Sequence, residues 1–327
     1  MESIEMTDAR SSPPQGERFR RGIPGMSAAG VAGVPGDAVE VRIDTVPESL
    51  PGGRSVAALV EAKPGAALLR IDGIGRFLVR EGREVIVEPA PEARAEAIRL
   101  FLSGPVAAAL LLERGLFPLH ASAIVAQGEI VAFLAPSGGG KSALAASLEM
   151  RGFEVWADDI LPVRLDGEGR PIASPGVSSV KLWEDTIAAL GIDRNGWRRV
   201  RPELEKYERI EAREERPSPP ADALPVRRLL VLRDDRSRAA DRAGALEAFL
   251  PLRGMERLRA ILEHTYARAL VEPLGRLAEH FRIGSALASH AEIDAIVHPR
   301  GLEHLESLTD RVVGWIERPS QRLEGGS

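Results

Sequence analysis

Ile130-Val131-Ala132-Phe133-Leu134 runs directly into Ala135-Pro136-Ser137-Gly138-Gly139-Gly140-Lys141-Ser142. The five apolar residues read as a buried strand. The next eight fit G-x-x-x-x-G-K-[ST], the phosphate-binding pattern, at every position except the first, where Ala135 replaces Gly. Ser142 to Arg151 then reads as a helix, stopped by Gly152. Strand, glycine-rich turn and helix in that order bring backbone N–H groups and a helix N-terminus around an anion. In such a loop Ser137, Gly138, Gly139 and Gly140 wrap the phosphates of ATP, Lys141 neutralises the β/γ-phosphates and the Ser142 hydroxyl ligates Mg²⁺. Ala135 would strain the loop if its position required a positive φ.

The chain returns to the same place at Asp158. The helix descends about 15 Å at 1.5 Å per residue. A strand over Phe153–Ala157 climbs about 16 Å at 3.3 Å per residue. Asp158-Asp159 therefore arrives at the level of the phosphates, where a carboxylate can hold Mg²⁺ or take the proton of an attacking hydroxyl. Leu119–Ala126 and Glu129–Ala135 read as a hairpin turned at Gln127-Gly128. With Ala126 opposite Glu129, His120 falls opposite Ala135 at the loop's mouth. There it contacts a phosphate, orients Asp158, or is a structural histidine at a strand end. The remaining histidines show no metal-ligand spacing.

The surroundings are those of a globular chain of 327 residues, long enough for two domains of roughly 150 each. The net charge of −5 argues against a nucleic-acid partner. The absence of cysteine excludes thiolate metal sites and fits a cytoplasmic location. No segment approaches the ~20 apolar residues of a membrane helix, so no membrane partner is expected. Residues 1–36, rich in Pro, Gly, Ser and Arg, read as a disordered leader. Residues 37–116 read as an antiparallel β-meander (Val39–Ile43, Leu68–Ile71, Arg76–Val79, Glu84–Val87) followed by helices over Pro91–Ser103 and Val106–Arg114, interrupted at Gly104-Pro105. Residues 117–327 hold the loop, a buried strand at Leu229–Leu232, and amphipathic helices at Met255–Leu270 and Gly301–Ile316. Leu229–Asp235 looks superficially like a second acidic strand end, with Asp234 as an alternative to Asp158.

Leu119-His120-Ala121-Ser122, the loop at 135–142, and Arg151-Gly152-Phe153 leading to Ala157-Asp158-Asp159 together resemble the HPr kinase/phosphorylase catalytic domain. They resemble more closely its divergent HPr-kinase-like branch, some members of which lie beside peptide-modification genes. The likeness is good over residues 117–183 and extends to about 210, where Glu205-Lys206-Tyr207 is similar to a basic motif of that branch. It implies an α/β fold with a P-loop nucleotide-binding core of the HPr kinase/PEP carboxykinase type, an N-terminal β-rich region and a C-terminal α/β extension. It implies an ATP- and Mg²⁺-dependent kinase acting on a serine of a protein or peptide, with Asp158 as general base, His120 beside it, and Ser142, Asp158 and Asp159 around the metal. Two positions depart from the family pattern. Gly is replaced by Ala135, and the usual downstream motif is replaced by Ser178-Ser179-Val180-Lys181-Leu182-Trp183-Glu184. The family's metal-binding Glu is thus left unassigned, with Glu184 as a guess, and HPr itself is not the acceptor to expect.

Lys181 suits either nucleotide or acceptor. Residues 193–217 carry seven Arg, one Lys and seven acids, which suits a solvated face or an acceptor-binding loop using Arg198, Arg199 and Lys206. Two other classes of function remain open on sequence: an ATPase or transport subunit, although no Leu-Ser-Gly-Gly-Gln signature follows the loop, and a nucleotide-gated binding module without turnover. A homo-oligomer is compatible with all three.

Overall fold

The computed structural model describes residues 34–176, 180–200, 204–209, 223–234 and 248–319. The expected leader therefore lies outside the described residues except for 34–36. These do pack: Val34 is partly buried, and Arg114 donates to the carbonyls of Pro35 at 2.6 Å and Asp37 at 2.7 Å.

The first sheet is built from β1 (Glu40–Ile43), β2 (Arg54–Ala57), β3 (Val60–Lys63), β4 (Ala66–Ile71), β5 (Gly75–Arg80) and β6 (Glu84–Pro89). Its order is β1-β6-β5-β4-β3-β2. The run from β2 to β6 is the antiparallel meander that the alternation implies. β1 departs from it, joining β6 in parallel. Helices α1 (Ala95–Phe101) and α2 (Ala107–Glu113) cover this sheet.

Gly104-Pro105 does not separate the two helices. Leu102–Val106 forms a π-helical turn with Pro105 inside it, a local widening of the kind that lets a helix continue past a missing N–H. The continuous stretch Ala95–Glu113 has 19 residues and a mean hydropathy of 1.6. By length and composition it could cross a membrane, contrary to the expectation from sequence. Ile98, Leu102, Val106, Leu110 and Leu112 instead form the core against Phe77, Val79 and Val85.

The second sheet begins with β7 (Phe117–Leu119), β8 (Ala121–Ala126) and β9 (Glu129–Leu134). The β8–β9 turn has φ +54° at Gln127 and +77° at Gly128, the two positive values of a type I′ hairpin. Its register is the expected one, from Ala126 opposite Glu129 to Ala121 opposite Leu134. Next come α3 (Lys141–Glu149), β10 (Glu154–Ala157), β11 (Leu161–Leu165) and β12 (Pro171–Ala173). A small three-stranded sheet follows, with β13 (Lys181–Trp183), α4 (Glu184–Ala189), β14 (Trp197–Arg199) and β15 (Lys206–Arg209), paired β13-β15-β14. The chain ends with β16 (Leu224–Asp234), β17 (Phe249–Pro251), α5 (Met255–Glu263), α6 (Leu277–His290), β18 (Glu292–His298) and α7 (Leu305–Ile316).

β16 lies parallel to both β9 and β18. The two faces of this parallel core are covered separately. Ala132, Leu134, Leu229, Val231 and Ile293 meet Ile261 of α5 and Ile283 and Leu287 of α6. Val131, Phe133, Leu230, Leu232 and Ile296 meet Leu144 and Leu148 of α3 and Leu308, Val312 and Trp315 of α7. Burial on both sides explains why these strands read as unbroken apolar runs. The fold is thus mixed α/β, and β9, β16 and β18 all point their carboxyl ends at the glycine-rich loop.

Candidate functional site

The loop forms where β9 ends. Ala135 is fully buried and belongs to the core between the sheet and α3. It is not among the residues at positive φ, whereas Gly138 (+76°) and Gly140 (+87°) are. Ala135 therefore fits without strain, and the substitution for Gly at this position costs the backbone nothing. Its methyl group in turn constrains Gly139: a Cβ there would lie 2.6 Å from Ala135 Cβ and 3.0 Å from the Pro136 carbonyl. Gly140 caps α3 with no side-chain hydrogen bond, so the first-turn N–H groups keep their donor capacity for an outside partner.

Lys141 opens α3 and is buried. Its ammonium donates to the Ala135 carbonyl at 2.8 Å and the Pro136 carbonyl at 3.3 Å. It also lies 3.0 Å from His120 Nε2. Burial draws its pKa down from 10.5 to about 8, against the opposing pull of Asp159 and Asp158.

Asp158 is only 2% exposed. Its Oδ1 accepts from Ser122 Oγ at 2.6 Å and Ser142 Oγ at 2.8 Å, and its Oδ2 accepts from the Lys181 N–H at 3.1 Å. The return of the chain over α3 and β10 thus ends in direct contact with the start of α3. Asp159 has φ +78° and faces elsewhere. Its carbonyl lies 3.1 Å and its Oδ1 3.3 Å from His120 Nδ1. An ammonium can only donate and a carbonyl can only accept. His120 is therefore neutral, with its proton on Nδ1 and its Nε2 lone pair toward Lys141. Burial, and then the charge of Lys141, lower its pKa in agreement. The Tyr266 ring meets His120 edge-on at 5.4 Å.

A cavity of about 720 Å³ opens in front of the loop. Pro136 to Ala143 form its floor. One wall is Lys181, Leu182, Trp183 and Lys206. The other is built from the ends of β16 and β18 and the helices beside them, with Arg233, Arg259, His264, His298, Arg300 and Leu305 among its residues. Six Lys and Arg side chains line it against the acids Asp185, Glu256 and Glu263, and Glu263 is paired with Arg259 at 2.6 Å. The excess is cationic, as a site for a polyphosphate requires.

The structure sorts the residues singled out by sequence. Ser137, Gly138, Gly139, Gly140, Lys141 and Ser142 all line the cavity. Asp158, Asp159 and His120 form a layer behind them. The hairpin register stops at Ala121, one residue short of His120, whose N–H bonds the His264 carbonyl at 2.7 Å. His120 sides with Asp159 and Lys141 and does not orient Asp158. Glu184 is paired with Arg194 at 2.9 Å and is not brought to the site. Arg198 pairs with Glu208 and Arg199 with the Tyr207 hydroxyl. Of the three basic candidates only Lys206 reaches the cavity. Ser178 and Ser179, residues 210–217, Asp235 and the side chain of Asp234 lie outside the described residues.

Among the described residues no group of three His, Cys, Asp or Glu side chains could hold a metal ion. Mg²⁺ does not need one, because it takes one or two protein oxygens and completes an octahedron with phosphate oxygens and water. Ser142 Oγ and Asp158 Oδ1 are held 2.8 Å apart by a hydrogen bond, near the edge of about 3.0 Å between adjacent oxygens of an octahedron with bonds near 2.1 Å. This pair fits Mg²⁺. Asp159, turned to His120, is not part of the pair.

The sequence reading missed Ser122 and assigned no role to the far wall, although it read the strand at Leu229–Leu232 and the helices at Met255–Leu270 and Gly301–Ile316 that help build it. A signal for Ser122 existed, since residues 120 and 122 share a face at the period of a strand. The far wall comes from separate strand ends and has no local motif.

No family model matches the chain, and no curated protein does. Among solved structures, the chain is similar to the HPr(Ser) kinase/phosphatase from Coxiella burnetii, with a TM-score of 0.30 and 12% identity, over 61% of this chain and 89% of that one. A likeness this distant transfers no residue role.

Proposed function

We propose that the glycine-rich loop binds the triphosphate of ATP and that the protein transfers the γ-phosphoryl group to a serine of a protein or peptide. In this reading residues 117–327 are a P-loop kinase-like unit with its C-terminal extension, and 37–116 a β-rich accessory unit. The supporting observation is the contact of the Asp158 carboxylate with the Ser142 hydroxyl, at the start of α3 and beneath a cationic cavity. Ser142 and Asp158 would hold Mg²⁺, which would offset triphosphate charge when bound. The loop amides and Lys141 bind the phosphates. In the transfer, the serine Oγ–P bond forms, the bond from γ-phosphorus to the bridging oxygen breaks, ADP departs, and the serine proton passes to a carboxylate. Asp158 is the carboxylate we assign to that role.

One observation favours a second reading, a nucleotide-binding ATPase or binding module. Asp158 is buried and engaged by three donors, so it must release a hydroxyl before it can accept a proton. Incubation with γ-labelled ATP and serine-containing acceptors separates the readings. Label on serine that disappears in Lys141→Ala supports the kinase. Free phosphate alone supports the ATPase, and affinity without turnover supports the module.

A further inference from the structure

Two walls rise from the loop, and they are not equivalent. β9, β16 and β18 run parallel, with β16 and β18 ending together three residues beyond the end of β9, and in open α/β sheets a ligand lies along the carboxyl ends of such strands. In the kinase reading the far wall, with Arg233, His298 and Arg300, would take the nucleoside side of ATP. The near wall is β13 with β15. It is tied to Asp158 through the Lys181 N–H, so it flanks the carboxylate where an accepting hydroxyl must approach.

On this near wall Trp183 and Lys206 are direct cross-strand partners. The Lys206 ammonium lies 5.7 Å from the Trp183 ring centre, and both residues line the cavity. Trp183 is 45% exposed, unusual for a tryptophan in a described strand of this chain. Around them Glu184 is satisfied by Arg194 and Glu208 by Arg198, while Asp185 shares the cavity rim and Glu205 is exposed beside Lys206. The Lys206 ammonium has an aromatic face and no ion pair among the described residues.

Resting on the kinase reading, we infer that the β13–β15 edge is the acceptor-docking surface and that its occupant is an acidic peptide segment. Trp183 packs against the peptide, and Lys206 pairs with a carboxylate. Lys181 and Trp183 are two residues apart on one strand, about 6.6 Å. An extended peptide covers that span in two residues, so the acidic side chain sits two or three positions from the accepting serine.

The test uses three serine peptides that differ only in carrying Glu, Ala or Lys at those positions, with the full-length protein. The Glu peptide should have the highest kcat/KM. Lys206→Glu should lower it by at least about fivefold and reverse the order in favour of the Lys peptide, the scale of reversing one exposed ion pair. MgATP affinity by calorimetry should fall by less than the peptide kcat/KM does, because Lys206 is one of six cations lining the cavity. Trp183→Ala should weaken all three peptides without reversing their order. Equal kcat/KM for the three peptides, or a loss of MgATP affinity in Lys206→Glu matching its loss of peptide, overturns the inference and leaves the kinase reading intact. Charge-dependent peptide binding by calorimetry, reversed in Lys206→Glu but without transfer, supports the docking surface and overturns the kinase.

Discussion

Replacing Asp158 by Asn keeps the shape of the side chain and changes its hydrogen-bonding capacity. The carboxylate accepts from two hydroxyls through Oδ1 and from the Lys181 amide through Oδ2. An amide has one acceptor oxygen and one NH₂. With its oxygen toward the hydroxyls, the NH₂ faces the Lys181 N–H, donor against donor. With the oxygen toward Lys181, both hydroxyl protons lose their acceptor. Either orientation leaves a buried donor unsatisfied at about 1–3 kcal/mol, and the remaining bonds fall from about 1.5–3 kcal/mol each to about 0.5–1.5. Removing a buried charge offsets part of this. The net expectation is a loss of about 2–4 kcal/mol, which a fold of ordinary stability, about 5–15 kcal/mol, survives. Melting should drop by roughly 5–12 °C at the usual slope for chains of this order. Transfer from saturating MgATP in a single turnover should fall at least about 10²-fold, with most MgATP affinity kept. Asp159→Asn, at a half-exposed side chain that makes neither hydroxyl contact, should be milder on both readouts. An Asp158→Asn protein that melts with wild type and transfers within twofold of it refutes both the burial argument and the role in catalysis.

Three further outcomes are expected. Triphosphate affinity should weaken as pH rises through about 8, where Lys141 loses its proton, and binding at pH 8.5 should take up a proton, seen as a buffer-dependent heat in calorimetry. In the absence of ligand the sign for folding is opposite: between about 8 and 10.5 the unfolded chain holds the Lys141 proton and the folded one does not, so this group makes stability rise with pH. Gly139→Ala should abolish nucleotide binding because its Cβ meets Ala135, Ala135→Gly should cost about 1 kcal/mol in a denaturant melt, and the double variant should recover binding that the single Gly139→Ala lacks. A chain starting at residue 38 should melt below one starting at Val34, since Arg114 loses the acceptor at Pro35 and Val34 leaves the core.

The loop, the hairpin register and the return to Asp158 were legible because each rests on local periodicity. Gln127-Gly128 fixes one register, and nine helical residues against four strand residues fix one return. What could not be read depends on distant contacts. β2 and β3 are short and lie at the outer edge of their sheet, so their alternation is weak. α6 contains Gly284, a poor helix residue by propensity, which packs against Leu262 so that a Cβ there would press on the end of that side chain. Without β18 assigned, the end of that strand at His298, beside Arg233 of β16 on the far wall, was not visible. Pro105 marked a break by propensity, and a π-turn absorbed it.

The adjacent acids at 158 and 159 show how one strand end can serve two neighbourhoods. In an extended strand, successive side chains point to opposite faces, but β10 has ended by Ala157. Asp158, the next residue, turns its carboxylate to Ser122 and Ser142. Asp159 adopts φ +78°, a conformation that Asp tolerates better than most residues, and this presents both its carbonyl and its carboxylate to His120 Nδ1. The bond on Nδ1 fixes the proton there and leaves Nε2 for Lys141. Asp158 thereby governs the hydroxyl at the second residue of α3, and Asp159 governs the ammonium at the first, through His120. The two functional groups at the start of α3 are thus held by two consecutive carboxylates, one directly and one through an imidazole, and a backbone turn of a single residue keeps the two chains of contact apart.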